Sequence, residues 1–121
     1  MELKVSRQHQ GDQVVVSASG EIDLYTAPRL QAELTAVLNA DHAARVVVDM
    51  SGVEFCDSTG MNVLLSAMKR ARERGSVLEL ASPRPPVQKI LQVTGLDSVF
   101  TVLDGTAPTS TAAAEDTAGI P

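Results

Sequence analysis

Between Val46 and Gly75 the chain switches its hydrophobic period once, from a nearly unbroken apolar run to helical spacing, and this constrains the fold more than any other feature. Val46-Val47-Val48-Asp49-Met50 is rich in β-branched residues, which suits a strand covered on both faces and so central in its sheet. Met61, Leu64, Leu65, Met68 and Ala71 then recur on one helix face, with Asn62, Ser66, Lys69, Arg70 and Glu73 on the other. The spacing predicts a helix that runs to about Arg74.

The junction between the two is Val53-Glu54-Phe55-Cys56-Asp57-Ser58-Thr59-Gly60-Met61. Asp57 and Ser58 are residue types whose side-chain oxygens accept from the first unpaired N–H groups of a helix. Gly75 is the expected end, with Lys69, Arg70, Arg72 and Arg74 complementing the negative end of the helix dipole. Ser58 therefore stands where a strand-to-helix loop meets a helix N-terminus, a position that favours an anionic group such as phosphate. On these residues alone, Asp57 reads as a helix cap and Ser58 as an exposed first-turn serine.

Around this unit, Leu3 to Ser6 and Val14 to Ser19 read as strands of an opening hairpin, turned at Gln10-Gly11-Asp12. Gly20 breaks the second strand. Thr26 and Pro28 signal a helix start, and Leu30, Leu34, Val37 and Leu38 form its stripe before a turn at Asn39 to His42. Val77 to Leu80 is a further strand, Ser82-Pro83-Arg84-Pro85-Pro86 a stiff connection, Val87 to Leu91 a short helix ended by Gly95, and Val99 to Leu103 a last strand. Helices joining strands by short connections imply right-handed crossovers and at least partly parallel pairing, hence an α/β fold with a mixed sheet.

A chain of 121 residues is one domain by size, and with no Trp, one Tyr and two Phe its core is aliphatic. All ten Lys and Arg precede Asp104, and setting aside Asp104, Glu115 and Asp116 leaves −2 of the −5 net charge on the body. No basic, aromatic-studded face is evident, which argues against direct nucleic-acid binding. Residues 104–121 are rich in Ala, Thr, Ser and Pro and carry one large aliphatic residue, Ile120, so a disordered tail is expected there. No stretch approaches a membrane span, and a soluble cytoplasmic protein is expected.

Catalysis has little to build on. Ser58 lacks a base, since His9 and His42 fall in a loop and a turn with no spacing that ties them to it, and its surroundings are not the G-x-S-x-G elbow. Asp23 with Asp57 specifies neither acid/base work nor a cation. Cys56 is the only cysteine, excluding a disulfide framework and a multi-cysteine metal site, and it reads as a small buried hydrophobe. No enzyme activity, metal or cofactor is expected.

Phe55-Cys56-Asp57-Ser58-Thr59-Gly60-Met61 resembles the phosphorylation-site signature of bacterial anti-sigma factor antagonists, the small single-domain STAS proteins. Gly20-Glu21-Ile22-Asp23 with Thr26-Ala27, Val46 to Ser51, Ser82-Pro83 and Thr94-Gly95-Leu96 resemble further family landmarks in order and spacing, over residues 1–103. The resemblance implies a STAS fold, with helices largely on one side of the sheet. It also implies a partner switch: the unphosphorylated protein binds an anti-sigma factor serine kinase and so frees a sigma factor. Phosphorylation abolishes that binding, and a phosphatase restores it.

Ser58 matches the phosphoacceptor, with Thr59 the rival, Asp57 the neighbouring acid, and Asp23 an acidic position in the first loop. The expected contact face comprises Asp23, Asp57, Ser58, Thr59, Asn62 and Ser66. The free protein is expected to be a monomer, because no strong exposed apolar stripe remains once the core is assigned. The competing reading is a non-switching STAS scaffold or accessory subunit of a signalling or transport complex; a nucleotide-binding module lacks the Gly-rich loop it would need.

Overall fold

A computed structural model describes residues 2–40 and 43–103. The elements run β1 (Leu3–Gln10), β2 (Gln13–Ile22), α1 (Ala27–Ala40), β3 (Arg45–Cys56), α2 (Ser58–Glu73), β4 (Val77–Ala81), α3 (Pro85–Thr94), a 3-10 turn (Leu96–Ser98) and β5 (Val102–Leu103). They form a five-stranded sheet in sequential order, with β1 antiparallel to β2 and the other three pairings parallel. Sequential parallel order is what βαβ crossovers of constant hand produce. His42 and residues 104–121, including the expected tail, lie outside the described residues.

Strand alternation sorts the core. Val14, Val16, Val46, Val48, Leu78 and Leu80 share one large apolar cluster with Leu30 and Leu34 of α1, Leu64 and Met68 of α2, and Val87 and Leu91 of α3. The intervening Val15, Val47 and Ala81 form a separate small cluster, joined by Leu103, that takes in no helix residue. All three helices therefore cover one face of the sheet. Val46, Val47 and Val48 are buried on both faces, as the apolar run predicts for a central strand. Beside Val47, Arg45 and Glu79 form an ion pair across β3 and β4.

Several boundaries differ from expectation. β1 runs past Ser6 to Gln10 and so takes in His9, and Gly20 does not break β2 but pairs within it, the strand continuing to Ile22. β3 does not stop at Met50 but continues through Ser51 and Gly52 to Cys56, paired with β2 through two register shifts. α3 begins at Pro85 rather than after the prolines, which occupy its first turn where a missing N–H costs nothing. The last strand keeps only two residues, because the Val99 and Phe100 amides turn back to the Leu96 carbonyl.

Candidate functional site

β2 and β3 end side by side, with Ile22 opposite Cys56, and the loops that follow rise from the same edge of the sheet. The Asp57 amide donates to the Ile22 carbonyl at 3.0 Å, joining the two loops. Asp57 is the N-cap of α2: its backbone is extended and its Oδ1 accepts the Gly60 amide at 3.1 Å. Ser58 is then the first helical residue, exposed, with Thr59 half-buried behind it and Gly60 buried.

The turn is held down by close packing. A Cβ on Gly60 would lie 2.6 Å from Cys56 Sγ and 2.6 Å from Ile22 Cγ2, so only glycine lets α2 start this close to the strand ends. Cys56 is fully buried beneath that turn, and burial pushes its thiol pKa up to about 12, with the Asp57 charge adding to the effect. It is a packing residue and stays protonated at neutral pH.

Asp23 is placed in the adjoining loop, but its carboxylate is already engaged. Oδ1 accepts the Tyr25 amide at 2.9 Å and the Thr26 amide at 3.0 Å, while Thr26 Oγ1 accepts the Asp23 amide at 2.9 Å. The Thr26 amide chiefly, with those of Tyr25 and the Thr26 hydroxyl, holds the Asp23 carboxyl below its ordinary pKa. The Ala27 amide donates to the Asp23 carbonyl at 2.8 Å, so Asp23 organises the entry to α1. Asn62 and Ser66 follow Ser58 at four-residue intervals on α2 and are exposed; Ser66 also lines a shallow groove against Gln31, Leu34 and Thr35 of α1.

One part of this edge was not foreseen. Leu24 is 63% exposed, Tyr25 87% and Phe55 44%, all in or beside the two loops that carry Asp23 and Ser58. The expectation that the core absorbs the large apolar surface therefore fails at this edge. Phe55 precedes the buried Cys56 on its strand and so points to the other face, an alternation that the sequence does carry.

Among the described residues there is no cluster of three or more His, Cys, Asp or Glu arranged to hold a metal ion. Nor, among the described residues, is any helix long and apolar enough to cross a membrane.

The family model described as "Mlab, STAS domain" matches residues 5–104. A crystal structure of an anti-sigma factor antagonist from Mycobacterium paratuberculosis superposes with a TM-score of 0.76 at 31% identity, over 84% of this chain and 86% of that one. The anti-sigma F factor antagonist of Paenibacillus polymyxa is 24% identical over 86% of this chain and 89% of its own length. The Bacillus cell fate determinant SpoIIAA in its phosphorylated form shares the fold, with a TM-score of 0.67 at 19% identity over 84% of this chain and 91% of that one. Two of these relatives are named as antagonists of anti-sigma factors and the third as a cell fate determinant. With its five-stranded mixed sheet, one-sided helices and Asp57-capped turn, the chain belongs to the STAS-domain family, among the small single-domain proteins named anti-sigma factor antagonists.

Proposed function

We propose that this chain is a phosphorylation-controlled antagonist whose unmodified Ser58 face binds an anti-sigma factor serine kinase and so frees a sigma factor. The kinase phosphorylates Ser58 and releases the protein, and a phosphatase restores binding. The observation that carries the reading is the exposed hydroxyl of Ser58 as the first residue of α2, immediately after its Asp57 cap. That SpoIIAA is described in a phosphorylated form supports the same chemistry on this fold.

The energetics are adequate for a switch. Phosphorylation adds roughly −1.5 to −2 charge and three acceptor oxygens. In the free protein the positive end of α2 accommodates that charge, so the fold persists. In a docked complex the phosphate must be desolvated next to Asp57, which costs on the order of several kcal/mol. Each ~1.4 kcal/mol is tenfold in affinity, so two or three such steps suffice. Asn62, Ser66, Thr59 and the Asp23 loop complete the contact face, rimmed by Leu24, Tyr25 and Phe55.

The test is to incubate the chain with the anti-sigma factor kinase proposed as its partner and ATP and to map the modified residue by mass spectrometry. Modification at Ser58, lost in Ser58→Ala, is expected. Modification at Thr59 with Ser58 untouched would contradict the assignment.

A second reading, a non-switching scaffold in a transport or signalling complex, is favoured by one observation: the matching family model carries the description Mlab rather than that of an antagonist. A stable partner that neither modifies Ser58 nor responds to its modification would select it.

A further inference from the structure

The opposite end of α2 carries charge that the Ser58 face does not use. Lys69, Arg70, Arg72 and Arg74 close the helix with Glu73 as the one acid among them, in a chain of net charge −5. A helix C-terminus is equivalent to roughly half a negative charge, so four cations exceed what the dipole can balance. Arg70 and Arg74 both donate to Asn39 Oδ1, at 3.2 and 3.4 Å, two cations on one neutral oxygen. Lys69 and Arg72 are exposed, three residues apart on one helix face, and form no ion pair among the described residues.

Arg72 also stands on the wall of a notch in the neighbouring sheet edge, with Met68, Val77, Leu78, Val99 and Thr101. The notch exists because β5 pairs with β4 only at Leu80 and Ala81, leaving the first half of β4 with no strand beyond it. Val77 and Val99 are 51% and 44% exposed there. An apolar floor with Arg72 on its wall, and Lys69 three residues away on the same helix face, suits a segment that carries carboxylates and one aliphatic side chain.

The chain itself supplies such a segment. Beyond Leu103 it carries Glu115 and Asp116, followed closely by Ile120. Thr101 is on the notch wall, and β5, parallel to β4, carries the chain only two residues past it, through Val102 and Leu103, before residue 104. Asp116 is the thirteenth residue after Leu103, a reach of at most about 43 Å at ~3.3 Å per residue, against roughly 24 Å for the whole of α2. A short tether also raises the local concentration of such a segment to about the millimolar range, so weak contacts suffice.

We propose that residues 104–121 dock in cis on this notch, with Ile120 against Val77 and Val99 and with Glu115 and Asp116 against Arg72 and Lys69. The surface lies at the far end of α2 from Ser58 and stands independently of the phosphorylation reading.

The test places a nitroxide on the full chain through Ala118→Cys and reads the amide signals by NMR. Native Cys56 is buried and its thiol protonated, so the tail cysteine takes the label alone. The amides of Val77, Leu78, Val99 and Thr101 are expected to lose most of their intensity while Asn62 keeps its own. The loss should disappear in Lys69→Glu/Arg72→Glu and in Ile120→Asp. An even loss over the whole surface, or one indifferent to both variants, overturns the proposal. So does an equal loss in a mixture of spin-labelled chains and separately 15N-labelled chains, which assigns the docked segment to a second copy.

Discussion

The amide of Asp57 and the carbonyl of Ile22 are 3.0 Å apart, and this single hydrogen bond fastens the first turn of α2 to the loop that carries Asp23. Because Ile22 and Cys56 are register partners at the ends of parallel strands, both loops emerge together on one edge. The candidate phosphoacceptor and the acidic loop are thus brought together by sheet pairing, not by closeness in sequence. A rearrangement on either side of this bond reaches the other directly.

Removing the cap should weaken the turn without unfolding the domain. Asp57→Ala leaves the Gly60 amide without its side-chain acceptor and should cost about 1 kcal/mol, which lowers the melting temperature of a domain this size by roughly 4–8 °C. Asp57→Asn keeps an acceptor and should lose less. Urea titrations of the two variants separate the outcomes.

Gly60→Ala should be destabilising even though alanine has the higher helix propensity by about 1 kcal/mol. The added Cβ would meet both Cys56 Sγ and Ile22 Cγ2 at 2.6 Å, and overpacking of this kind costs typically 1–3 kcal/mol. Combining it with Cys56→Ala frees one of the two contacts and should recover part of the loss.

Asp23 should make stability depend on acid pH. Its folded pKa lies below the ordinary carboxylate value, so its contribution is fully present above that value, about 3.9 for a free carboxylate, and is lost as pH falls through the folded pKa. The stability difference between wild type and Asp23→Ala should be constant near neutrality and shrink in strong acid. A difference that is unchanged in strong acid would show that the loop hydrogen bonds do not depend on the charge.

Cys56 should be inert to thiol reagents in the native state. With its pKa raised to about 12, its neutral form is favoured by folding, and that contribution is fully present below the ordinary thiol pKa and is lost as pH rises from there through the folded value. Alkylation at pH 8 should track the fraction of unfolded chain in urea. Fast labelling of the native protein would contradict the burial of the thiol beneath Gly60.

Asn62→Glu is expected to leave stability within about 0.5 kcal/mol, since the side chain is exposed, while weakening the partner by roughly tenfold or more. Loss of the fold instead would make Asn62 structural.

Legibility in the sequence followed the physics of burial. The switch at Val46 to Arg74 could be read because a two-faced strand and an amphipathic helix write opposite patterns, and Asp57 could be read as a cap because few residue types serve there. The continuation of β3 was hidden by Ser51 and Gly52, and its register shifts against β2 break strict alternation. Thr26 marked a helix entry, but nothing in the sequence showed that the Asp23 carboxylate would be spent on that same turn. The exposure of Leu24 and Tyr25 depends on how the loop leaves the sheet, which is a tertiary property.

The most direct measurement is calorimetric titration of the cognate anti-sigma factor kinase, in ADP, with the unmodified protein and with protein phosphorylated at Ser58, both confirmed folded. The account predicts tight binding of the unmodified protein and an affinity at least about a hundredfold weaker after phosphorylation, equivalent to two steps of ~1.4 kcal/mol. Equal affinities would contradict it and leave Ser58 as a helix-start residue with no part in switching.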